Sequence, residues 1–124
     1  MLHYLLVAIG GALGAMLRYW VYNATPFQDQ RVPLATVVVN VCGSLLIGVL
    51  WVLLVEKSAL GPQWRSLLMV GFLGALTTYS TYSLEALLLL EQGQVGMALS
   101  YLVGTLLLCL MAAWIGVALS RLVL

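Results

Sequence analysis

Apolar residues fill this chain in long stretches that no formal charge interrupts. The charge-free stretches cover residues 1–17, 33–55, 66–84 and 92–120. The apolar pattern also resumes after Arg18 and continues past Glu85. A membrane-spanning helix needs about 20 mostly apolar residues, whereas a spanning strand alternates apolar and polar positions. The pattern therefore predicts an all-α integral membrane protein, one domain over residues 1–124 with four spanning helices at about 2–23, 33–55, 64–90 and 95–121.

Short polar segments separate the predicted helices. The first contains Asn23, Thr25, Pro26, Gln28, Asp29, Gln30, Arg31 and Pro33, the second Glu56, Lys57, Ser58, Gly61 and Pro62, and the third Glu91, Gln92, Gly93 and Gln94. Such clusters of proline, glycine and polar residues are typical of loops. Loops this short leave no room for an extramembrane domain. The N-terminus lacks the basic segment of a cleaved signal peptide, and we expect it to form the first helix.

Composition excludes most soluble classes. Of the 124 residues, 64% are hydrophobic and 7% are charged, whereas soluble domains are about 45–50% apolar and about 25% charged. A chain of this length cannot bury so many apolar side chains in a soluble core. A soluble enzyme, a nucleic-acid-binding domain, a disulfide scaffold and a disordered chain are therefore excluded. Cys42 and Cys109 lie in apolar stretches, where we expect free thiols.

The distribution of basic residues gives only a weak prediction of membrane orientation. Lys57, Arg65 and Arg121 lie on the side of the two termini, and Arg31, with Arg18 if it reaches that interface, lies on the other. Basic residues concentrate on the cytoplasmic side. The nearly even split is compatible with a protein that inserts in both orientations, without requiring it.

Small residues predict close contacts between helices. Gly10 and Gly14, and likewise Gly11 and Ala15, are four positions apart, a spacing that lets two helix backbones approach closely. We interpret the remaining small residues within the second and fourth helices in the same way: Gly43, Gly48, Gly104 and Gly116.

Two polar side chains stand out in the first and second helices, because each is costly in hydrocarbon unless it is paired. Arg18 either extends to the interface or attracts anions in a vestibule. Asn40, with Ser44 one turn later, either joins helices or donates to a passing anion, since an amide supplies two donors.

The third predicted helix is the most unusual. Gly71 and Gly74 are followed by Thr-Thr-Tyr-Ser-Thr-Tyr-Ser at 77–83. Irregular backbone at membrane depth is tolerated only where protein or a watery cavity satisfies it. The segment therefore predicts a helix broken in mid-membrane that lines a polar path, with freed carbonyls able to bind a cation. Tyr79 and Tyr82 share a face, and positive ring edges there suit a small hard anion.

The fourth helix carries a thin polar stripe. Tyr101, Thr105 and Cys109 follow one another at intervals of four residues and so lie on one face. The stripe either packs against a neighbouring helix or adds donors to the polar path, and its spacing alone does not separate the two interpretations.

Three segments resemble the bacterial fluoride channels of the Fluc/CrcB family. They are GGALGAMLRY at 10–19, PLATVVVNVCGSLLIG at 33–48 and GFLGALTTYSTYSLE at 71–85. The resemblance extends over nearly the whole chain. It implies an antiparallel, dual-topology homodimer in the bacterial inner membrane, with two pores and passive export of fluoride. The implied partners are fluoride, sodium, lipid and a second copy in opposite orientation, and nucleic acid is not among them.

The resemblance also assigns site residues. It implies a structural sodium ion on the dimer axis, held by the backbone carbonyls of Gly74 and Thr77. Arg18 is expected in a vestibule. Together with the stripe of the fourth helix, the expected fluoride pore contains Asn40, Tyr79, Ser80, Thr81, Tyr82, Glu85, Tyr101 and Thr105.

One departure from the family pattern and several alternatives stay open. The family usually has Phe where this chain has Tyr79 and Tyr82, so the hydroxyls either donate to the ion or bond elsewhere. One alternative is a subunit that conducts only beside a paralogue. Another is a small multidrug or guanidinium exporter, which needs an acid in the first helix, where this chain has Arg18. A structural adaptor would not explain the hydroxyl-rich segment 77–83.

Overall fold

The computed structural model describes residues 1–25 and 32–124, in which all regular structure is helical. The helices are α1 (Leu2–Ala24), α2 (Leu34–Glu56), α3 (residues 62–76), α4 (Ser80–Glu91) and α5 (Val95–Val123). The end of α2 and most of α3 are wound as π-helix, at Val52–Glu56 and Arg65–Leu73.

The prediction of an all-α chain with four long apolar helices is confirmed for the described residues. Four segments are long and apolar enough to cross a membrane: Leu2–Ala24, Leu34–Glu56, Pro62–Glu91 and Val95–Val123. The third of these contains both α3 and α4. Residues of the first predicted loop, Pro26, Gln28, Asp29, Gln30 and Arg31, lie outside the described residues.

The loop between α4 and α5 is a tight turn set by glycine. Gly93 has a φ of 75°, a left-handed conformation that glycine adopts without steric cost. The Gly93 amide donates to the Leu90 carbonyl at 3.0 Å, and the Gln94 amide donates to the Leu89 carbonyl at 2.9 Å. These two bonds satisfy carbonyls at the end of α4. The sequence Gln92-Gly93-Gln94 thus turns the chain directly into α5.

Two seams of glycine bring helices into backbone contact. In the seam between α1 and α3, a Cβ on Gly10 would lie 2.1 Å from the Leu67 carbonyl oxygen, and one on Gly14 would lie 2.1 Å from that of Phe72. In the seam between α2 and α5, a Cβ on Gly116 would lie 2.3 Å from the Leu45 carbonyl oxygen. No larger residue fits these positions without moving a helix.

Within the single chain, the predicted close contact is not present at Gly104. A Cβ there would meet nothing within 4 Å among the described residues, because Gly104 lies on a side of α5 that does not face a neighbouring helix closely. Gly11 likewise is only at van der Waals distance from α3. The close approach of α1 to α3 thus depends on Gly10 and Gly14, and that of α2 to α5 on Gly48 and Gly116.

Large apolar side chains cover the outside of the helices, as a lipid environment requires. Examples on α1 and α5 are Leu5, Ile9, Leu13, Leu107, Met111 and Trp114. Both cysteines are free thiols, as predicted, with Cys42 exposed and Cys109 half-buried. At one end of the bundle Arg121 of α5 forms a two-pronged ion pair with Glu56 of α2.

Candidate functional site

Helical structure stops after Leu76 and resumes at Ser80, and we call residues 77–79 the interruption. Thr77 is extended, with φ −81° and ψ 155°. Its hydroxyl donates to the Leu73 carbonyl at 2.8 Å. On the far side, the Thr78 hydroxyl accepts the Thr81 amide at 3.2 Å, an amide in the first turn of α4. The threonines thus satisfy backbone groups that the ends of α3 and α4 leave free.

Asn40 of α2 holds the interruption in place. Its Nδ2 donates to the Thr78 carbonyl at 2.9 Å, and its Oδ1 accepts the Thr78 amide at 2.8 Å. The side-chain amide therefore pairs with both polar groups of one residue, much as a neighbouring strand would. This pairing uses one of the two N–H groups of Asn40 and leaves the other for a further acceptor.

The same pairing redirects a hydrogen bond at Gly74. In a continuous helix the Thr78 amide would donate to the Gly74 carbonyl four residues earlier. Here that amide donates to Asn40 instead. The Gly74 carbonyl, which lies beside the extended Thr77, thus loses its ordinary helical partner.

A cavity of about 400 Å³ opens beside the interruption. It brings together most of the pore and sodium residues that the sequence predicted. Its lining includes Asn40, Gly43, Ser44, Gly74, Thr77, Thr78, Tyr79, Tyr82, Thr105 and Cys109. The predicted stripe on α5 is divided, because Thr105 and Cys109 line the cavity and Tyr101 does not.

The two predicted aromatic residues differ in their surroundings. The rings of Tyr79 and Tyr82 lie 5.5 Å apart. Tyr79 is 80% exposed, whereas Tyr82 is buried. The Tyr82 hydroxyl donates to the Leu102 carbonyl at 2.6 Å. Of the two possibilities that the sequence left open for the hydroxyls, bonding elsewhere is the one observed for Tyr82, which also lines the cavity.

Beyond Tyr82 lies a second polar group, which we call the hydroxyl cluster: Tyr22, Thr36, Glu85 and Tyr101. The Thr36 hydroxyl donates to Glu85 Oε1 at 2.7 Å, and the Tyr101 hydroxyl donates to Oε2 at 2.9 Å. The Tyr22 hydroxyl contacts Thr36 Oγ1. The cluster joins α1, α2, α4 and α5 around one carboxylate. Tyr82 connects it to the cavity, since its ring centroid lies 5.2 Å from that of Tyr101.

Sequence reasoning missed two members of the hydroxyl cluster, Tyr22 and Thr36. Thr36 lies one helical turn before Asn40, and Tyr22 lies one turn after Arg18. Residues four apart share a helix face. A search for polar residues one turn from each predicted site residue would have found both.

The remaining predicted residues lie near these two groups without lining the cavity. Thr81 accepts a hydrogen bond from Thr78 Oγ1 at 3.1 Å, and Ser80 is exposed at the start of α4. Arg18 is half-buried on α1. Within the described ranges the only ion pair is that of Arg121 with Glu56, so Arg18 forms none there.

Residues 1–25 and 32–124 contain no group of three or more His, Cys, Asp or Glu side chains placed to hold a metal ion. Gly74 and Thr77, the predicted sodium ligands, both line the cavity.

Fold and site together describe a multi-pass membrane protein with a cavity at a helix interruption, where polar side chains lie among apolar ones such as Ile47, Met69 and Leu106. The family model for CrcB-like protein, Camphor Resistance (CrcB), matches residues 5–117. This chain is 48% identical over 126 residues to a protein of Hahella chejuensis, covering 98% of this chain and 97% of that one. It is 46% identical over 118 residues to one of Saccharophagus degradans, covering 95% and 89%. Both relatives are named fluoride-specific ion channel FluC.

The chain belongs to the CrcB-like family, which confirms the resemblance found in its sequence. A third relative, from Stutzerimonas stutzeri, is 47% identical over 120 residues, covering 94% of each chain, and has the same name. The relatives are named as ion channels and not as enzymes, so the prediction that this chain is not an enzyme is also confirmed.

Proposed function

We propose that the chain is a fluoride-specific ion channel of the bacterial inner membrane, which lets fluoride leave the cytoplasm passively and so relieves its toxicity. The relatives at 46–48% identity support the ion. The observation that carries the proposal is the cavity, where Asn40, the threonines of the interruption and Thr105 surround one space at a break in an apolar helix.

The cavity offers what a small, strongly hydrated anion requires. A pore must replace the water around fluoride with donors that are already in place. The second N–H of Asn40 is one such donor, and its position is fixed because the rest of the amide is paired with Thr78. The positive ring edge of Tyr82 is another, and the bond from its hydroxyl to Leu102 holds the ring. Conduction also requires that the ion leaves again, so several moderate contacts serve better than one strong one.

A structural sodium ion fits the residues around the interruption. Sodium is a hard cation that takes oxygen ligands. The carbonyls of Gly74 and Thr77 lie at the cavity, and the Gly74 carbonyl lacks the Thr78 amide that would otherwise occupy it. On a two-fold axis, two carbonyls from each copy would surround one ion. Bound there, sodium would supply positive charge that ties two interruptions together.

The proposal includes a homodimer with two pores whose subunits have opposite orientations. Tyr79 supports a partner at this place, because it borders the cavity and is 80% exposed in the single chain. The weak split of basic residues supports dual topology. Labelling of single cysteines placed at Ser58 and Gln92 in intact cells tests the orientation. At each position, some copies should react with a reagent outside the membrane and others with a reagent inside it. If all copies react from the same side, the chain has one orientation and the proposal is contradicted.

Fluoride efflux from liposomes that contain only this purified chain tests the function. We expect a fluoride electrode to record rapid release of internal fluoride. Chloride should not be released comparably, and guanidinium should not be transported. A folded chain that releases fluoride only when a second, related chain is added would support the heterodimer instead. A chain that exports guanidinium would support the small exporter.

A further inference from the structure

Tyr22 is a residue that neither the family resemblance nor the relatives' names assign to any role. Its hydroxyl contacts Thr36 Oγ1 at the edge of the hydroxyl cluster. Thr36 has a single hydroxyl proton, and its hydroxyl lies 2.7 Å from Glu85 Oε1. Because a carboxylate only accepts hydrogen bonds, that proton points at Glu85. In its contact with Tyr22 the Thr36 oxygen is then the acceptor, so donation runs from Tyr22 through Thr36 to Glu85.

The burial of Thr36 keeps water away from this chain of donation. Thr36 is 0% exposed, so the partners of its hydroxyl are other side chains of the protein. Hydrogen bonds in a chain polarise one another, so donation by Tyr22 strengthens the bond from Thr36 to Glu85. Tyr101 approaches the other carboxylate oxygen from α5 at 2.9 Å. Three hydroxyl groups thus act on one carboxylate, two directly and one through a neighbour.

We propose that Tyr22 is a positioning residue, which directs the Thr36 proton onto Glu85 and thereby keeps that carboxylate fixed and partly neutralised beside the fluoride path. This proposal rests on the proposed function, because it supposes that fluoride passes Tyr82 and Tyr101 close to Glu85. Without the Tyr22 hydroxyl, the Thr36 bond weakens and the carboxylate presents more of its charge to the approaching anion. Fluoride flux then falls, although no group that touches fluoride has been removed.

The first test is spectroscopic and needs no transport. The protein is labelled with 13C at the glutamate carboxyl carbon, and the Glu85 resonance is assigned by its loss in Glu85→Gln. We expect Tyr22→Phe to shift that resonance and Tyr19→Phe to leave it unchanged, since Tyr19 is 74% exposed on the same helix. An unchanged Glu85 resonance in folded Tyr22→Phe would overturn the proposal, whether or not the wild-type chain conducts fluoride.

The second test shows whether Tyr22 acts through Thr36. We expect Tyr22→Phe to reduce fluoride efflux by about fivefold, the effect of one ordinary hydrogen bond, and Tyr19→Phe to have no effect. In a background of Thr36→Val, which removes the intermediate hydroxyl, Tyr22→Phe should have no further effect. Equal fivefold losses in both backgrounds would overturn the proposal, because Tyr22 would then act by another route. If the wild type releases no fluoride, the proposed function fails, and the resonance alone decides the role of Tyr22.

Discussion

The cavity and the hydroxyl cluster lie on either side of Tyr82 and use similar side chains in opposite ways. At the cavity, Asn40 pairs with Thr78 and still has an N–H to give. In the hydroxyl cluster, both oxygens of Glu85 are already held, by Thr36 and by Tyr101. The cavity thus has donor capacity left for an ion, whereas the donors of the cluster are committed to a carboxylate.

This difference teaches that a count of polar residues does not locate an anion site. Buried polar groups are almost always hydrogen-bonded, so what matters is which donors remain after the protein's own needs are met. Because the cavity has a donor left over, it is the place where we expect fluoride to bind. The hydroxyl cluster has no donor left over, and we expect it only to border the fluoride path. Substitutions on the two sides of Tyr82 should accordingly have effects of different size.

The largest effect is expected for Asn40→Asp. The new side chain can still accept the Thr78 amide, but it cannot donate to the Thr78 carbonyl, and when ionised it places a negative charge in the anion path. We expect fluoride efflux from liposomes to fall by about 100-fold or more, with an elution volume on size-exclusion chromatography equal to that of the wild type. Asn23→Asp, at the exposed end of α1, is the matched control and should conduct normally. Normal flux through folded Asn40→Asp would mean that Asn40 only joins helices.

Replacement of Tyr82 by isoleucine comes next. Tyr82→Ile removes the ring edge that lines the cavity and the hydroxyl bond to Leu102 together. We expect a loss of well over tenfold in fluoride efflux, because both the donor and its support are gone. Tyr4→Ile, on an exposed part of α1, controls for the loss of a tyrosine. Efflux within twofold of wild type would show that the ring of Tyr82 has no part in conduction.

A change in the hydroxyl cluster should have a smaller effect. Thr36→Val keeps the shape of the side chain and leaves Glu85 Oε1 without its donor. We expect about a tenfold loss of flux, the effect of one hydrogen bond to a charged group. Thr25→Val, which removes a hydroxyl that donates to the Val21 and Tyr22 carbonyls at the end of α1, should not change flux. A loss as large as that of Asn40→Asp would show that the cluster itself binds fluoride and would erase the distinction between the two regions.

The smallest effects are expected for the two phenylalanine variants. Tyr82→Phe loses the bond to Leu102 but keeps the ring, and Tyr79→Phe changes a ring that is exposed in the single chain. We expect both to retain fluoride efflux within about tenfold, with Tyr79→Phe closer to wild type. If either variant is inactive while folded and assembled like the wild type, its hydroxyl is essential and the ring edge alone does not explain conduction.

Much of this arrangement could be predicted from the sequence, because it depends on local pattern. Charge-free stretches define the long apolar helices, and the run of hydroxyl residues after Gly74 marks where helical structure stops. The partners of individual side chains could not be predicted. From the sequence, the Asn40 side chain could equally donate to an ion or join two helices. It bonds to the interruption because α2 packs beside residue 78. Gly104 shows the same limit, because spacing does not reveal which face of α5 meets a neighbour.

Obstruction of the cavity tests most directly whether it is the fluoride path. Cys109 of α5 lines the cavity, whereas Met111 lies on the opposite face of the same helix and is exposed. Cys109→Phe places a ring in a space of about 400 Å³, and Met111→Phe adds one on the outside. The measurement is fluoride efflux from liposomes that contain each folded variant. We predict that Cys109→Phe loses nearly all efflux while Met111→Phe conducts like the wild type, and undiminished efflux through Cys109→Phe would contradict the account.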